Sequence, residues 1–138
     1  MVFLVGIGLP ILTVVGDVSI YLDIPSLIIA GILPFLFTSI LFGFKEMGSA
    51  FSVSIRKETE REALINALNF FKIYGKVTWI AGYIAVFIGV IAMLANLADK
   101  TAWGPYLALA LFSLLYSGII NVVIIIPFTV FIKKQLKE

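Results

Sequence analysis

The chain has 138 residues, 62% of them hydrophobic and only 13% charged, with a mean hydropathy of +1.14 and a net charge of +2. A soluble domain sits nearer about 45–50% apolar and about 25% charged, and a globule this small cannot hide the difference in its core. With no Cys and no His as well, the composition excludes a soluble enzyme, a disulfide framework and a cysteine or histidine metal centre; it reads as an integral membrane protein that needs no cofactor.

Four stretches are long and apolar enough to cross a bilayer core of about 30 Å, which about 20 helical residues span. The first covers residues 2–22, interrupted by Pro10 and Asp17. It lacks a positive n-region and a small-residue cleavage site, so it is expected to be a retained span. The second covers 24–44 and contains Pro34. A more polar segment, 45–76, follows, and within it Thr59 and Glu62 have the spacing of a capping box. Leu64, Leu68, Phe71 and Gly75 then recur at helical spacing and run without a strong breaker into the third span, 77–97. One long helix that leaves the membrane and projects into the cytoplasm is the expected result. The fourth span covers 106–132 and contains Pro127. The runs are continuously apolar, whereas barrel strands alternate, so the fold class is all-α with four transmembrane helices in a single membrane domain.

Charge sets the direction. Lys45, Arg56, Lys57, Arg61, Lys72 and Lys76 lie between spans two and three, and Lys133, Lys134 and Lys137 lie in the tail, which leaves Lys100 alone on the other side. The positive-inside rule places the middle segment and both termini in the cytoplasm. The run from Arg56 to Glu62 reads either as a solvated helix start or as a docking surface for another protein.

In span three Gly75, Gly82, Gly89 and Asn96 recur every seven residues, and Ala85 with Gly89 forms a small-xxx-small pair. Small residues let helices approach closely in lipid, so these four are expected to form a packing seam, with end-capping as a second role for Asn96. In span four Ser113, Ser117 and Asn121 stand at four-residue steps, with Ala110 and Gly118 beside them. A stripe of hydroxyls and amides must face protein or water, because an unpaired polar group is expensive in hydrocarbon. It reads either as an interhelical hydrogen-bond seam or as a wall facing a pore or a partner. No ionisable residue sits at mid-membrane, so any titrating acid would have to come from another subunit.

Several ordered elements resemble the flagellar stator A-subunit (MotA) family, which is related to the TolQ and ExbB energisers. Tyr21-Leu22-Asp23-Ile24-Pro25-Ser26-Leu27 is similar to that family's F-I-D-L-P-S-L signature, and Phe42-Gly43-Phe44-Lys45-Glu46 to the start of its cytoplasmic region. The stretch from Ile88 to Asp99 resembles G-L-I-x-M-L-x-N-L-x-D. Gly104-Pro105, Tyr116 and Pro127 fall ungapped on G-P…Y-G…P. The resemblance implies four spans, a homo-oligomeric ring, usually of five copies, and a centre lined by spans three and four around partner helices that carry an ion-binding Asp. It makes Ser113, Ser117, Asn121, Ala110, Leu114, Ala85 and Val86 the candidates for facing the pore or partner. Ala85-Val86 stands where the family has G-T, and Ser113-Leu114 where it has T-T, so Ser113 alone keeps a hydroxyl there.

The expected function is that of a stator-like subunit in a bacterial inner membrane. It would form a ring, most simply a pentamer, that scaffolds an ion-driven complex with a single-span, Asp-bearing partner. The alternative is a non-conducting ring that holds lipid or anchors other proteins. No catalytic constellation supports an enzyme, and no basic patch interleaved with aromatics supports nucleic-acid binding.

Overall fold

The computed structural model describes residues 22–56 and 60–137. The expected first span, 2–22, lies outside the described residues except for its last position, as do Lys57, Glu58 and the capping-box residue Thr59. Among the described residues the chain is all-helical and has no strand. It forms α1 (Ile24–Phe42), α2 (Phe44–Ile55), α3 (Arg61–Ala95) and α4 (Lys100–Gln135). Three of these, α1, α3 and α4, are long and apolar enough to cross a membrane.

Asp23 starts α1 by the ordinary N-cap chemistry: its carboxylate accepts the Ser26 amide at 2.9 Å, and Pro25 fills a first-turn position whose missing N–H is no loss. Farther along, the helix widens into a π turn over Ile28–Ile32, just before Pro34. Helix α4 repeats the device with a π turn over Asn121–Ile125, just before Pro127. A proline removes one amide and crowds the carbonyl four residues back, and one wider turn relieves both without breaking the helix.

Gly43, at φ +90°, ends α1 and turns the chain into α2. That conformation is open to glycine at little cost. The second helix was not legible as a separate element within 45–76, yet Met47, Ala50, Phe51 and Ser54 already show its inward-facing stripe at three- and four-residue steps. It lays Ala50 and Val53 on α3 in a core with Leu64, Ala67, Phe70, Phe71 and Tyr74, closed by Ile125 and Ile132 of α4. The long third helix is present as expected. At about 1.5 Å per residue its 35 residues span roughly 52 Å, well beyond a hydrocarbon core. It begins at Arg61 after Glu60, whose side chain makes no capping bond.

Helices α3 and α4 are antiparallel and pack against each other over most of their membrane portion. Three contacts fix the register: Gly75 beside Asn121 and Ile125, Gly82 beside Ser117, and Gly89 beside Tyr106 and Ala110. Helix α1 covers one side of the pair, with Gly31 against Ile120 and Phe35 edge-on to Tyr74.

Candidate functional site: the α3–α4 seam and the α1–α4 clasp

The seven-residue glycine line of α3 is where α4 comes closest. A Cβ on Gly89 would lie 2.6 Å from the Tyr106 carbonyl oxygen and 2.9 Å from the Ala110 Cβ. One on Gly82 would overlap the Ser117 hydroxyl and stand 3.0 Å from its Cβ, and one on Gly75 would meet Asn121 Oδ1 at 2.9 Å. The spacing follows from helix geometry, since seven residues are nearly two turns and put the three positions along one line. Lipid gives no hydrophobic drive to bring helices together, so close backbone approach has to hold them.

The polar stripe of α4 occupies this seam. Ser117 Oγ donates to the Thr78 carbonyl of α3 at 2.9 Å and lies as close to the Ser113 carbonyl of its own helix. Asn121 Nδ2 donates to the Ser117 carbonyl at 2.9 Å and reaches the Gly75 carbonyl of α3 at 3.5 Å. Ala85, Ala110, Ser113 and Ser117 are fully or almost fully buried. Of the seven pore- or partner-facing candidates, these four and Asn121 therefore meet α3 or α4 of the same chain, while Val86 and Leu114 are half-buried. Within one chain the stripe takes the hydrogen-bonded arrangement, and no open wall passes between the two helices. The reason is geometric: the glycine line lies opposite the stripe, so Ser117 and Asn121 find carbonyls before they find solvent.

One hydroxyl in the seam is left over. Ser113 Oγ is buried and has no hydrogen-bond partner among the described residues, whereas the buried Thr78 hydroxyl lies against that of Tyr74. Thr78 was not singled out in the sequence, although its place three residues after Gly75 and four before Gly82 puts it on the seam face.

A clasp ties the start of α1 to α4. The Asp23 amide donates to the Tyr116 hydroxyl at 2.9 Å, and Ser26 Oγ donates to the Leu109 carbonyl at 3.2 Å. Tyr116 lies more than a turn farther along α4 than Leu109. It can still reach the start of α1 because helical side chains lean back toward the N-terminus. The two bonds tie positions 93 and 83 residues apart in the chain. Asp23, Ser26 and Tyr116, three of the signature residues, thus meet in space.

Other signature positions serve the backbone. Pro25 sits in the first turn of α1, Pro127 follows the π turn of α4, and Gly104 and Pro105 are exposed at the start of α4. Asn96, expected in the packing seam, lies instead at the exposed C-terminus of α3, where Nδ2 donates to the Ala92 carbonyl at 2.8 Å. The line of glycines ends one position before it because α3 stops at Ala95. In the α3–α4 loop the Trp103 indole donates to the Asn96 carbonyl, and the Asp99 carboxylate caps the turn at Lys100. The side chain and amide of Thr101 hydrogen-bond that carboxylate and hold its pKa below the usual value.

No protein-family profile matches the chain. One curated relative, the chemotaxis protein PomA of Vibrio alginolyticus, is 37% identical to it over 57 residues. That stretch is 41% of this chain and 22% of the relative, so the likeness spans about a fifth of the curated protein.

Proposed function

We propose that the chain is a MotA-like membrane subunit that assembles as a homo-oligomeric ring, most simply a pentamer, and scaffolds an ion-driven complex whose titrating Asp belongs to a single-span partner. The observation that carries this reading is the partial match to PomA, a MotA-family stator protein. The clasp supports it: the Asp-x-Pro-Ser element and the last span, far apart in the sequence, bond to each other where α1 starts. The lack of an acid at mid-membrane supports a proton- or sodium-carrying carboxylate on the partner. The membrane is then the bacterial inner membrane, with both termini in the cytoplasm.

A specific observation favours the second reading, a non-conducting ring that keeps lipid or other proteins in place. The hydroxyl of Ser117 and the amide of Asn121 are engaged within the chain, and the half-buried Val86 and Leu114 are apolar. Ser113 keeps the conducting reading alive, since its hydroxyl is unpartnered.

Native mass spectrometry of the complex, extracted under mild conditions, separates these possibilities. A ring of identical copies with a co-purifying single-span chain is the expected result. The same ring holding only lipid would transfer the proposal to the non-conducting alternative, and a lone monomer would defeat both.

A further inference from the structure

At the lysine-rich end of the α3–α4 pair, a groove of about 390 Å³ opens between the two helices. Lys72 and Lys76 line it from α3 and Lys133 from α4. No Asp or Glu contributes to its wall, and among the described residues none of the three ammonium groups is paired with a carboxylate. Lys72 and Lys76 stand one helical turn apart, a spacing at which like charges repel. Three cations that line one groove from two helices fit an anion.

The depth of the groove identifies which kind of anion. On α3 the lysines give way at once to Trp79 and an apolar run, and on α4 the apolar run ends at Ile132, immediately before Lys133. The cationic mouth therefore lies at the boundary between headgroups and hydrocarbon, where Trp also prefers to sit. Below it the wall is Trp79, Ile126 and Val130, which are 37%, 52% and 59% exposed. A soluble phosphate would use only the mouth. A molecule with a phosphate at one end and an acyl chain at the other covers both parts, and basic pockets between membrane helices take such lipids.

We propose that this groove is a binding site for an anionic phospholipid of the lysine-side leaflet. Lys72, Lys76 and Lys133 hold the phosphodiester, the Thr129 hydroxyl on the same wall is available as a donor, and an acyl chain lies along Trp79, Ile126 and Val130. The groove is built by the α3 and α4 of one chain.

The test uses Trp79 as a reporter. The chain has two tryptophans, and Trp103→Phe, at the opposite end, leaves Trp79 alone. The full-length variant is reconstituted in phosphatidylcholine bilayers containing a minor fraction of brominated phosphatidylglycerol or, separately, brominated phosphatidylcholine. The phosphatidylglycerol probe should quench Trp79 several-fold more strongly. Each lysine near the surface is worth a factor of roughly five in local lipid partition. Lys72→Gln, Lys76→Gln and Lys133→Gln together should therefore cut the preference by about tenfold or more. Lys134→Gln with Lys137→Gln, which removes charge outside the groove, should leave it. If the triple variant does not fold, Lys76→Gln alone and a salt titration of the parent read the same preference, and both should lower it. Equal quenching by the two probes would overturn the proposal, as would a preference that survives the triple substitution or is lost equally in the Lys134/Lys137 pair. A preference abolished by inorganic phosphate but not by sulfate at equal ionic strength would overturn the lipid in favour of a soluble anion.

Discussion

The two ends of the bundle are held together by opposite means. At the lysine-rich end α2, α3 and the end of α4 bury large rings: Phe71 stacks on Phe128 at 5.0 Å, meets Phe51 edge-on at 5.1 Å and packs on Phe70 at 5.5 Å. Toward the other end, α3 and α4 bury almost nothing large and instead bring backbones together over Gly82 and Gly89. The difference follows the solvent. Where water competes, removing aromatic surface from it is the strongest available drive; where lipid surrounds the helices, burial of apolar surface gains nothing and close contact with matched polar groups takes over.

The sharpest way to break that contrast is to remove volume at one end and add it at the other. Phe71→Ala should cost about 3–5 kcal/mol, because a fully buried ring leaves a cavity among its aromatic neighbours. Phe71→Leu should recover much of that loss, as in any core that needs bulk. Gly89→Ala should cost less, about 1–3 kcal/mol, but here a single methyl group does the damage, since the atoms in its way include the Tyr106 carbonyl of the backbone. Gly104→Ala, with nothing within 4 Å of an added Cβ, should be nearly neutral. Unfolding in mixed detergent micelles measures all four. A tolerated Gly89→Ala would mean that the seam is looser than its spacing implies.

Legibility in the sequence follows the same division. The seam was readable because a seven-residue repeat of glycine opposite a four-residue repeat of Ser, Ser and Asn leaves few other arrangements once both segments are helical. What the sequence left open was which neighbour the stripe would meet, since a hydroxyl that fits a carbonyl of its own chain fits a partner's as well. Asn96 keeps the repeat one step past the end of the helix and there takes the capping role, not the packing one. The aromatic end was hardly legible. Phe42, Phe51, Phe70 and Phe128 come from four different helices, and no local period announces that they will meet. The short helix α2 was hidden for a related reason: its start depends on Gly43 taking a positive φ, which sequence spacing does not reveal.

The clasp between α1 and α4 gives a smaller effect of the same kind. Tyr116→Phe removes the acceptor of the Asp23 amide while keeping the ring, and should cost about 0.5–1.5 kcal/mol. Hydrogen exchange at the first turn of α1 reads the loss directly, and unchanged protection there would mean that Pro25 and the Asp23 cap suffice to hold the helix start.

The finest comparison lies inside the seam, between two serines one turn apart. Both are fully buried, but Ser117 Oγ bonds across to Thr78 whereas Ser113 Oγ has no partner among the described residues. Ser117→Ala should therefore lower stability by about 0.6 kcal/mol, the usual value of one interhelical hydrogen bond in a membrane. Ser113→Ala should leave it unchanged or raise it slightly, because it deletes a buried hydroxyl that the fold does not satisfy. Comparing unfolding free energies with an assay of ion flux or complex formation makes the pair informative. If Ser113→Ala is harmless to stability yet impairs that assay, the hydroxyl serves something outside the fold, as the conducting ring requires. If Ser113→Ala lowers stability as much as Ser117→Ala, its hydroxyl is part of the packing, and the non-conducting ring gains.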